Sequence, residues 1–147
     1  MEKLLAALPV FHCAKRYVKM NKERLKQHDR LKKYIAREQL HPVLNDTKWR
    51  KLFNNLQPFA GNFEYLRSDL KEEKATENWV GDFYYSFAGW DHIHWLRIRP
   101  NEHSEGMDLL QLTDIVVKTG VPFTQSENYI EVWGYLYPGE KPEWYSI

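Results

Sequence analysis

The sequence predicts an α+β fold with N-terminal helices, a mainly antiparallel sheet of four to five strands, and one helix between the third strand and the later strands. Two observations lead to this expectation. Helical spacing of apolar residues is confined to the first 56 residues and to one later segment. The remaining segments alternate apolar and polar residues between short turns, which is typical of hairpin-linked antiparallel strands.

Three helices are predicted from apolar spacing and from residues that begin or end a helix. A long basic helix is expected from Phe11 to Leu40, with a thin apolar stripe. A second helix, Thr47–Leu56, follows a polar capping residue. The third covers Met107–Thr119 and is ended by Gly120, in the position that glycine favours after a helix.

The strands are predicted from alternation and from turn residues. Gly89, Trp90 and Asp91 indicate a hairpin turn between the second and third strands. The predicted strands are Asn62–Leu70, Trp79–Ala88, His92–Arg99, Val121–Gln125 and Tyr129–Tyr137.

Length and composition fit one ordinary domain. We expect 147 residues to form a single domain, with residues 1–40 as a basic helical extension and residues 41–147 as the α+β core. The net charge of +1 argues against a protein whose main task is to bind phosphate backbones. One cysteine excludes an internal disulfide, and no segment is long and apolar enough for a membrane span, so a cytoplasmic protein is expected.

A metal site is one candidate. His92 and His94 would share a face if both lay on one strand, and two imidazoles on one face can bind the same metal ion. Glu102 and His103 lie one loop away and would complete the set. The alternative is a pair of partly exposed histidines on the polar side of a hairpin.

A nucleic-acid site is a second candidate. Arg97 and Arg99 also share a strand face, and arginine beside aromatic side chains on a sheet can stack on bases. The basic helix Lys15–Arg37 would add phosphate contacts. The alternative is a solvated strand whose charges prevent aggregation.

The last predicted strand carries the candidate protein-binding surface. Ile130, Val132 and Leu136 are expected in the core. The opposite face is unusually aromatic, so either the C-terminal tail or a partner should cover it. Its residues are Tyr129, Glu131, Trp133, Tyr135 and Tyr137.

Three stretches resemble a group of small bacterial proteins of unknown function. They are Leu44–Leu52, with the letters LNDTKWRKL; Ile93–Ile98, with IHWLRI; and the run from Leu109 through VPF to IEVWGY at Tyr135. The resemblance covers residues 40 to 137 and rests mostly on core and capping residues. Small proteins with these sequence stretches are similar to immunity proteins of polymorphic or contact-dependent toxin systems. The resemblance therefore implies a cytoplasmic inhibitor that occludes a cognate toxin domain.

The sequence contains no glycine-rich phosphate loop, no zinc-protease helix and no nucleophile elbow, so it indicates no catalytic residue and no cofactor. The leading interpretation is a protein-binding module, most concretely a toxin-neutralising immunity protein. The alternatives are a nucleic-acid-binding protein that uses the basic helix, and a metal-dependent hydrolase around His92 and His94. The thin apolar stripe of the first helix also allows pairing with a second copy.

Overall fold

The computed structural model describes residues 10–70, 78–83 and 89–146. Helix α1 covers Val10–Glu38, as predicted. Gln39 follows with a φ of 54°, and this left-handed conformation ends the helix. The chain divides into two compact units between Gln39 and Leu40. None of the described helices is both long enough and apolar enough to cross a membrane.

Helix α2 covers Asp46–Leu56, close to the predicted bounds. Its first turn is capped by Asn45, whose side chain accepts a hydrogen bond of 2.9 Å from the backbone N–H of Lys48. Trp49, Leu52 and Leu56 recur at helical spacing and are all buried. The apolar stripe therefore packs into the core, and the polar residues between face outward.

Two antiparallel sheets follow. Strands β1 (His41–Pro42) and β6 (Tyr135–Leu136) form a two-stranded sheet. The main sheet has the strand order β2-β3-β5-β4. Its strands are β2 (Phe63–Asp69), β3 (Ile93–Pro100), β4 (Phe123–Gln125) and β5 (Ile130–Trp133).

Helix α3, Leu109–Thr119, lies between β3 and β4 in the chain. Asp108 and Gln111 form a reciprocal capping box at its start, and Gly120 ends it with a φ of 71°. The predicted α+β class and the predicted helix between the third and later strands are confirmed.

The strand predicted over Trp79–Ala88 is wrong in its described part. Residues 78–83 form a single bridge, between Val80 and Tyr65, and residues 84–88 lie outside the described residues. Gly81 and Asp82 are exposed, and glycine weakens a strand interior. Strand β3 consequently pairs with β2 and β5, and not with this segment as a hairpin.

The predicted turn also differs in form. Gly89 is left-handed with a φ of 64°, and Trp90–His92 form one turn of 3₁₀-helix before β3 begins at Ile93. The indole Nε1 of Trp90 donates a hydrogen bond of 2.7 Å to the carboxylate of Asp46. This bond ties the turn to the start of α2.

One buried cluster joins α2, α3 and a single face of the main sheet. On β3, Leu96 and Ile98 alternate inward, which leaves the residues between them on the opposite face. The largest fully buried members are Trp49, Phe63, Phe83, Leu52, Leu56, Ile93, Leu96, Ile98, Leu112 and Ile130. The core thus fixes which side chains the sheet presents on its other side.

Candidate interaction surface

The face of the main sheet opposite the core carries alternating aromatic and charged side chains. The register pairs Arg97 with Glu131 and Arg99 with Glu64, directly across neighbouring strands. We call this surface the outer sheet face. Its members are Glu64, Trp95, Arg97, Arg99, Tyr129, Glu131 and Trp133, together with Trp79, which contacts two of them.

Arg97 lies at the centre of the outer sheet face. Its Nε donates to Glu131 Oε2 at 2.5 Å, and Glu131 is 9% exposed. The guanidinium carbon lies 4.2 Å from the ring centroid of Trp95 and 5.0 Å from that of Tyr129. A cation between two aromatic rings and beside a carboxylate is held in one orientation.

Arg99 repeats the arrangement one step along the strand. Its Nε and Nη2 donate to Glu64 Oε2 at 3.3 and 3.0 Å. Its guanidinium carbon lies 4.1 Å from the ring centroid of Trp79. The Val80 bridge to β2 positions Trp79, whose ring also lies 6.3 Å from that of Tyr129. The two arginine clusters therefore meet through these rings.

This arrangement joins large aromatic surface to charges that are already paired. Trp79, Trp95 and Tyr129 are each partly exposed. Tryptophan, tyrosine and arginine are enriched at the centres of protein–protein interfaces. Because each guanidinium has a carboxylate partner, a partner protein can cover the face without leaving an unpaired charge.

The predicted aromatic strand face is only partly realised. Tyr129, Glu131 and Trp133 do lie on the outer sheet face. The predicted continuous alternation to Tyr137 is wrong, because Gly134 separates β5 from β6. A Cβ on this glycine would lie 2.1 Å from the carbonyl oxygen of Ile93, so the chain needs glycine there to approach β3.

Trp133, at the end of β5, and Tyr137, beyond Gly134, both lie beside His94. Trp133 and Tyr137 both contact the imidazole edge to face, with ring centroids 5.5 and 4.9 Å away. Glu140 Oε1 lies 2.9 Å from His94 Nε2 and accepts a bond of 2.6 Å from the backbone N–H of Tyr137. These contacts fasten the turn after β6 to β3, so these side chains pack internally.

Tyr135 belongs to the two-stranded sheet, where it pairs with Pro42. Burial raises the pKa of its hydroxyl above the ordinary value of 10.0, and the negative charge of Asp91 raises the pKa further. Both effects favour the neutral phenol. Tyr135 is therefore separated from the outer sheet face by the bend at Gly134.

The expectation that His92 and His94 share a strand face is wrong, because His92 lies in the 3₁₀ turn before β3. His92 Nε2 lies 3.9 Å from the carboxylate of Asp91, while His94 contacts Glu140. Across residues 10–70, 78–83 and 89–146, no group of three or more His, Cys, Asp or Glu residues is arranged to hold a metal ion.

The C-terminal tail contacts β4. The backbone N–H of Tyr145 donates to the carbonyl oxygen of Phe123 at 2.7 Å. The two rings stack with centroids 4.8 Å apart and an interplanar angle of 19°. Phe123 pairs with Val132 on the core side of the sheet, so this contact of the tail is with the edge of the sheet.

Sequence reasoning missed three members of the outer sheet face. Trp95 is two residues from Arg97, so strand alternation alone would have found it. Glu64 lies opposite Arg99, and only the register between β2 and β3 brings the two together. The sequence could not predict that Trp79 belongs to this surface, because its position depends on a single bridge from an irregular segment.

Residues 31–139 match the model of a family described as a family of unknown function (DUF6678). The match covers well over half of the chain, so the chain belongs to this family. No curated protein and no solved structure matches the chain. The matched residues contain both sheets together with α2 and α3, and leave out most of α1 and the tail after Gly139.

Proposed function

We propose that this DUF6678 protein is a protein-binding module whose interface is the outer sheet face. The observation that carries the proposal is the Arg97 guanidinium, held between Trp95 and Tyr129 and paired with Glu131. The fold already supplies a core-facing side for this sheet, so aromatic residues on the other side are not needed to complete that core. A partner would find them in fixed positions.

Preorganisation favours tight binding at such a surface. Arginine normally loses side-chain freedom on binding, which costs about 0.5 to 1.5 kcal/mol for each immobilised flexible side chain. Arg97 and Arg99 are already fixed by stacking and ion pairing. These two side chains therefore lose little further conformational entropy when a partner binds.

The more specific proposal is a toxin-neutralising immunity protein that acts by occlusion of a toxin domain. It rests on the resemblance of the three sequence stretches to a group of small bacterial proteins of unknown function, which are in turn similar to immunity proteins. Residues 40–147 contain ten Lys and Arg against sixteen Asp and Glu, a net charge of −6. This excess of acidic residues suits a basic partner, although two of the carboxylates, Glu131 and Glu140, are already engaged by Arg97 and His94.

The first test is to identify the partner and then to ask which surface binds it. We would purify the tagged protein from its native cells at moderate salt and identify bound proteins by mass spectrometry. Affinity for a stoichiometric partner would then be measured for Trp95→Ala and Tyr129→Ala. We expect each to weaken binding by about tenfold or more, as for residues at the centre of an interface.

The matched control is Phe59→Ala, which removes an aromatic ring that is 37% exposed and lies in the 3₁₀ turn after α2. Its affinity should equal that of the wild type. Circular dichroism would establish that each variant folds. Unchanged affinity in both Trp95→Ala and Tyr129→Ala would exclude the outer sheet face as the interface.

The immunity role has a separate test. If the partner is a toxin, co-expression of this protein should restore growth to cells that produce it, and Trp95→Ala should reduce the rescue. A bound partner that has no toxic activity would exclude the immunity role and leave the protein-binding module in place.

Nucleic-acid binding through α1 is the second candidate, favoured by one observation. Residues 22–30 are exposed throughout, and they include Lys22, Arg24, Lys26 and Arg30. Such binding should weaken steeply as salt rises. Fluorescence anisotropy with labelled single-stranded RNA and duplex DNA would test it, with Lys26→Glu/Arg30→Glu as the impaired variant. Absence of binding at low salt would exclude this role.

A further inference from the structure

Strand β4 is an edge of the main sheet, and the tail occupies part of that edge. The carbonyl oxygen of Phe123 points away from β5 and accepts the backbone N–H of Tyr145. In an antiparallel strand, residues two apart turn their backbone groups to the same side. The N–H and C=O of Gln125 therefore also face the edge.

The contact between Tyr145 and β4 is small. Between Phe123 and Tyr145 the contact consists of one backbone hydrogen bond and one ring stack. Residues 141–146 have no regular secondary structure, and Trp144 and Tyr145 remain 41% and 40% exposed. A single backbone hydrogen bond and a single aromatic pair each contribute little stability, so an equilibrium between a docked and a released tail is expected.

The family match includes the edge of β4 but does not include the tail residues that contact it. Strand β4 and Phe123 lie within the matched residues 31–139, whereas the tail residues that touch them lie beyond that range. The edge therefore lies in the part of the chain that the family model covers. The tail shows one chemistry that this edge accepts, namely a backbone N–H donated to the Phe123 carbonyl oxygen with an aromatic ring stacked on Phe123.

We infer that the edge of β4 is a strand-addition site for an extended segment of a protein partner, with an aromatic side chain stacked on Phe123. In this arrangement the tail is a competitor within the same chain, and the partner segment displaces Tyr145. Strand addition uses backbone hydrogen bonds for affinity and side-chain pockets for selectivity. The site is separate from the outer sheet face, so the inference stands without the proposed interface there.

The test uses the full-length protein and a synthetic peptide with the tail sequence Lys-Pro-Glu-Trp-Tyr-Ser-Ile, residues 141–147. Binding is followed by amide chemical-shift changes of Phe123, Thr124 and Gln125. Tyr145→Ala frees the edge and should bind the peptide at least about twofold more tightly than the wild type, because a tethered tail at a millimolar effective concentration competes with a peptide whose dissociation constant is of that order. Tyr145 is exposed, so the variant should fold.

Two controls separate strand addition from unspecific contact. A peptide with its tyrosine replaced by alanine should bind Tyr145→Ala at least about tenfold more weakly, because the ring stack is lost. Gln125→Pro in the Tyr145→Ala background removes the edge N–H that strand addition would use, together with the side-chain bond from Gln125 to Thr113, and should weaken peptide binding. Equal binding of the two peptides, or no shift in Tyr145→Ala at several millimolar peptide, would overturn the inference.

Discussion

Gly134 is the residue on which the candidate sites most depend. Its N–H donates to the carbonyl oxygen of His94 at 2.9 Å, and its own carbonyl oxygen accepts from Val43 at 2.9 Å. A Cβ at this position would meet the Ile93 carbonyl oxygen at 2.1 Å and the Trp49 ring at 3.2 Å. One glycine therefore joins the main sheet to the two-stranded sheet.

Gly134→Ala should lower the free energy of unfolding by about 3 kcal/mol or more, because the obstructing atoms are backbone and a buried indole that cannot move aside. Urea denaturation followed by circular dichroism measures this. Gly81→Ala is the matched control, since a Cβ there has no neighbour within 4 Å. Similar midpoints for Gly134→Ala and Gly81→Ala would contradict the close approach.

Tyr135 should make the protein less stable at alkaline pH. Its pKa is raised in the folded state, chiefly by burial and also by Asp91, so the folded protein holds the proton more firmly than the unfolded chain does. The resulting stabilisation is complete below the unfolded pKa of 10.0 and is lost as pH rises through the folded pKa. Because the side chain is only partly buried, we expect an effect below about 1 kcal/mol.

The measurement is urea denaturation between about pH 9 and about pH 11, around the tyrosine pKa, on the wild type and on Tyr135→Phe. The phenylalanine variant keeps the ring and has no group to ionise, so its stability should fall less steeply over this range. Parallel curves for the two proteins would show that the ionisation of Tyr135 is not coupled to folding.

The alternation of residues predicted which side chains share a strand face wherever the strand is continuous. It failed at Gly134, where a single close backbone contact bends the chain. Arg97 and Arg99 do share a face, as spacing required. Tyr129 and Trp133 do not end in one continuous surface with Tyr135, because the bend at Gly134 depends on a carbonyl group forty-one residues earlier in the chain. Sequence periodicity contains no information about that distant contact.

At the scale of elements, a helix or strand was predicted correctly where the residues that begin and end it lie next to it in the sequence. Helix α3 was predicted closely because its start and end are encoded beside it, by Asp108 with Gln111 and by Gly120. The strand predicted over Trp79–Ala88 is wrong in its described part, where Phe83 packs into the core and does not line a strand face. Phe83 is 1% exposed and packs its ring 5.0 Å from Phe63 and 5.5 Å from Tyr65. Alternation cannot distinguish rings that line a strand from a ring that fills a core.

The capping box of α3 gives a test at this scale. Asp108→Ala removes the acceptor that binds the Gln111 N–H at 2.7 Å, and should lower the free energy of unfolding by about 1 kcal/mol. Asp114→Ala, an exposed position within the same helix, is the matched control and should change stability by less than about 0.5 kcal/mol. Thermal or urea denaturation of both variants compares them, and an equal loss would show that the cap does not stabilise the helix.

At the scale of the whole molecule, the hydrophobic cluster lies within the second unit. Its buried members run from Leu44 to Val132, and residues 22–30 are exposed throughout. The chain divides into two compact units between Gln39 and Leu40, next to the boundary predicted between the basic extension and the α+β core.

A chain that begins at residue 31, where the family match begins, should therefore fold cooperatively. Its thermal midpoint should lie within about 5 °C of that of the full chain, a difference of about 1 kcal/mol. Calorimetry measures the midpoint. Loss of the cooperative transition would mean that the first thirty residues take part in the stability of the second unit.

The contrast between two indoles has an optical consequence. Trp49 is 2% exposed inside the core, whereas Trp144 is 41% exposed on the tail. Acrylamide should quench the emission of Trp144 far more readily than that of Trp49. The native protein thus contains an intrinsic fluorophore on the tail beside β4, and a blue shift that is lost in Trp144→Phe, while Trp79 and Trp95 are still present, would report that something has covered that edge.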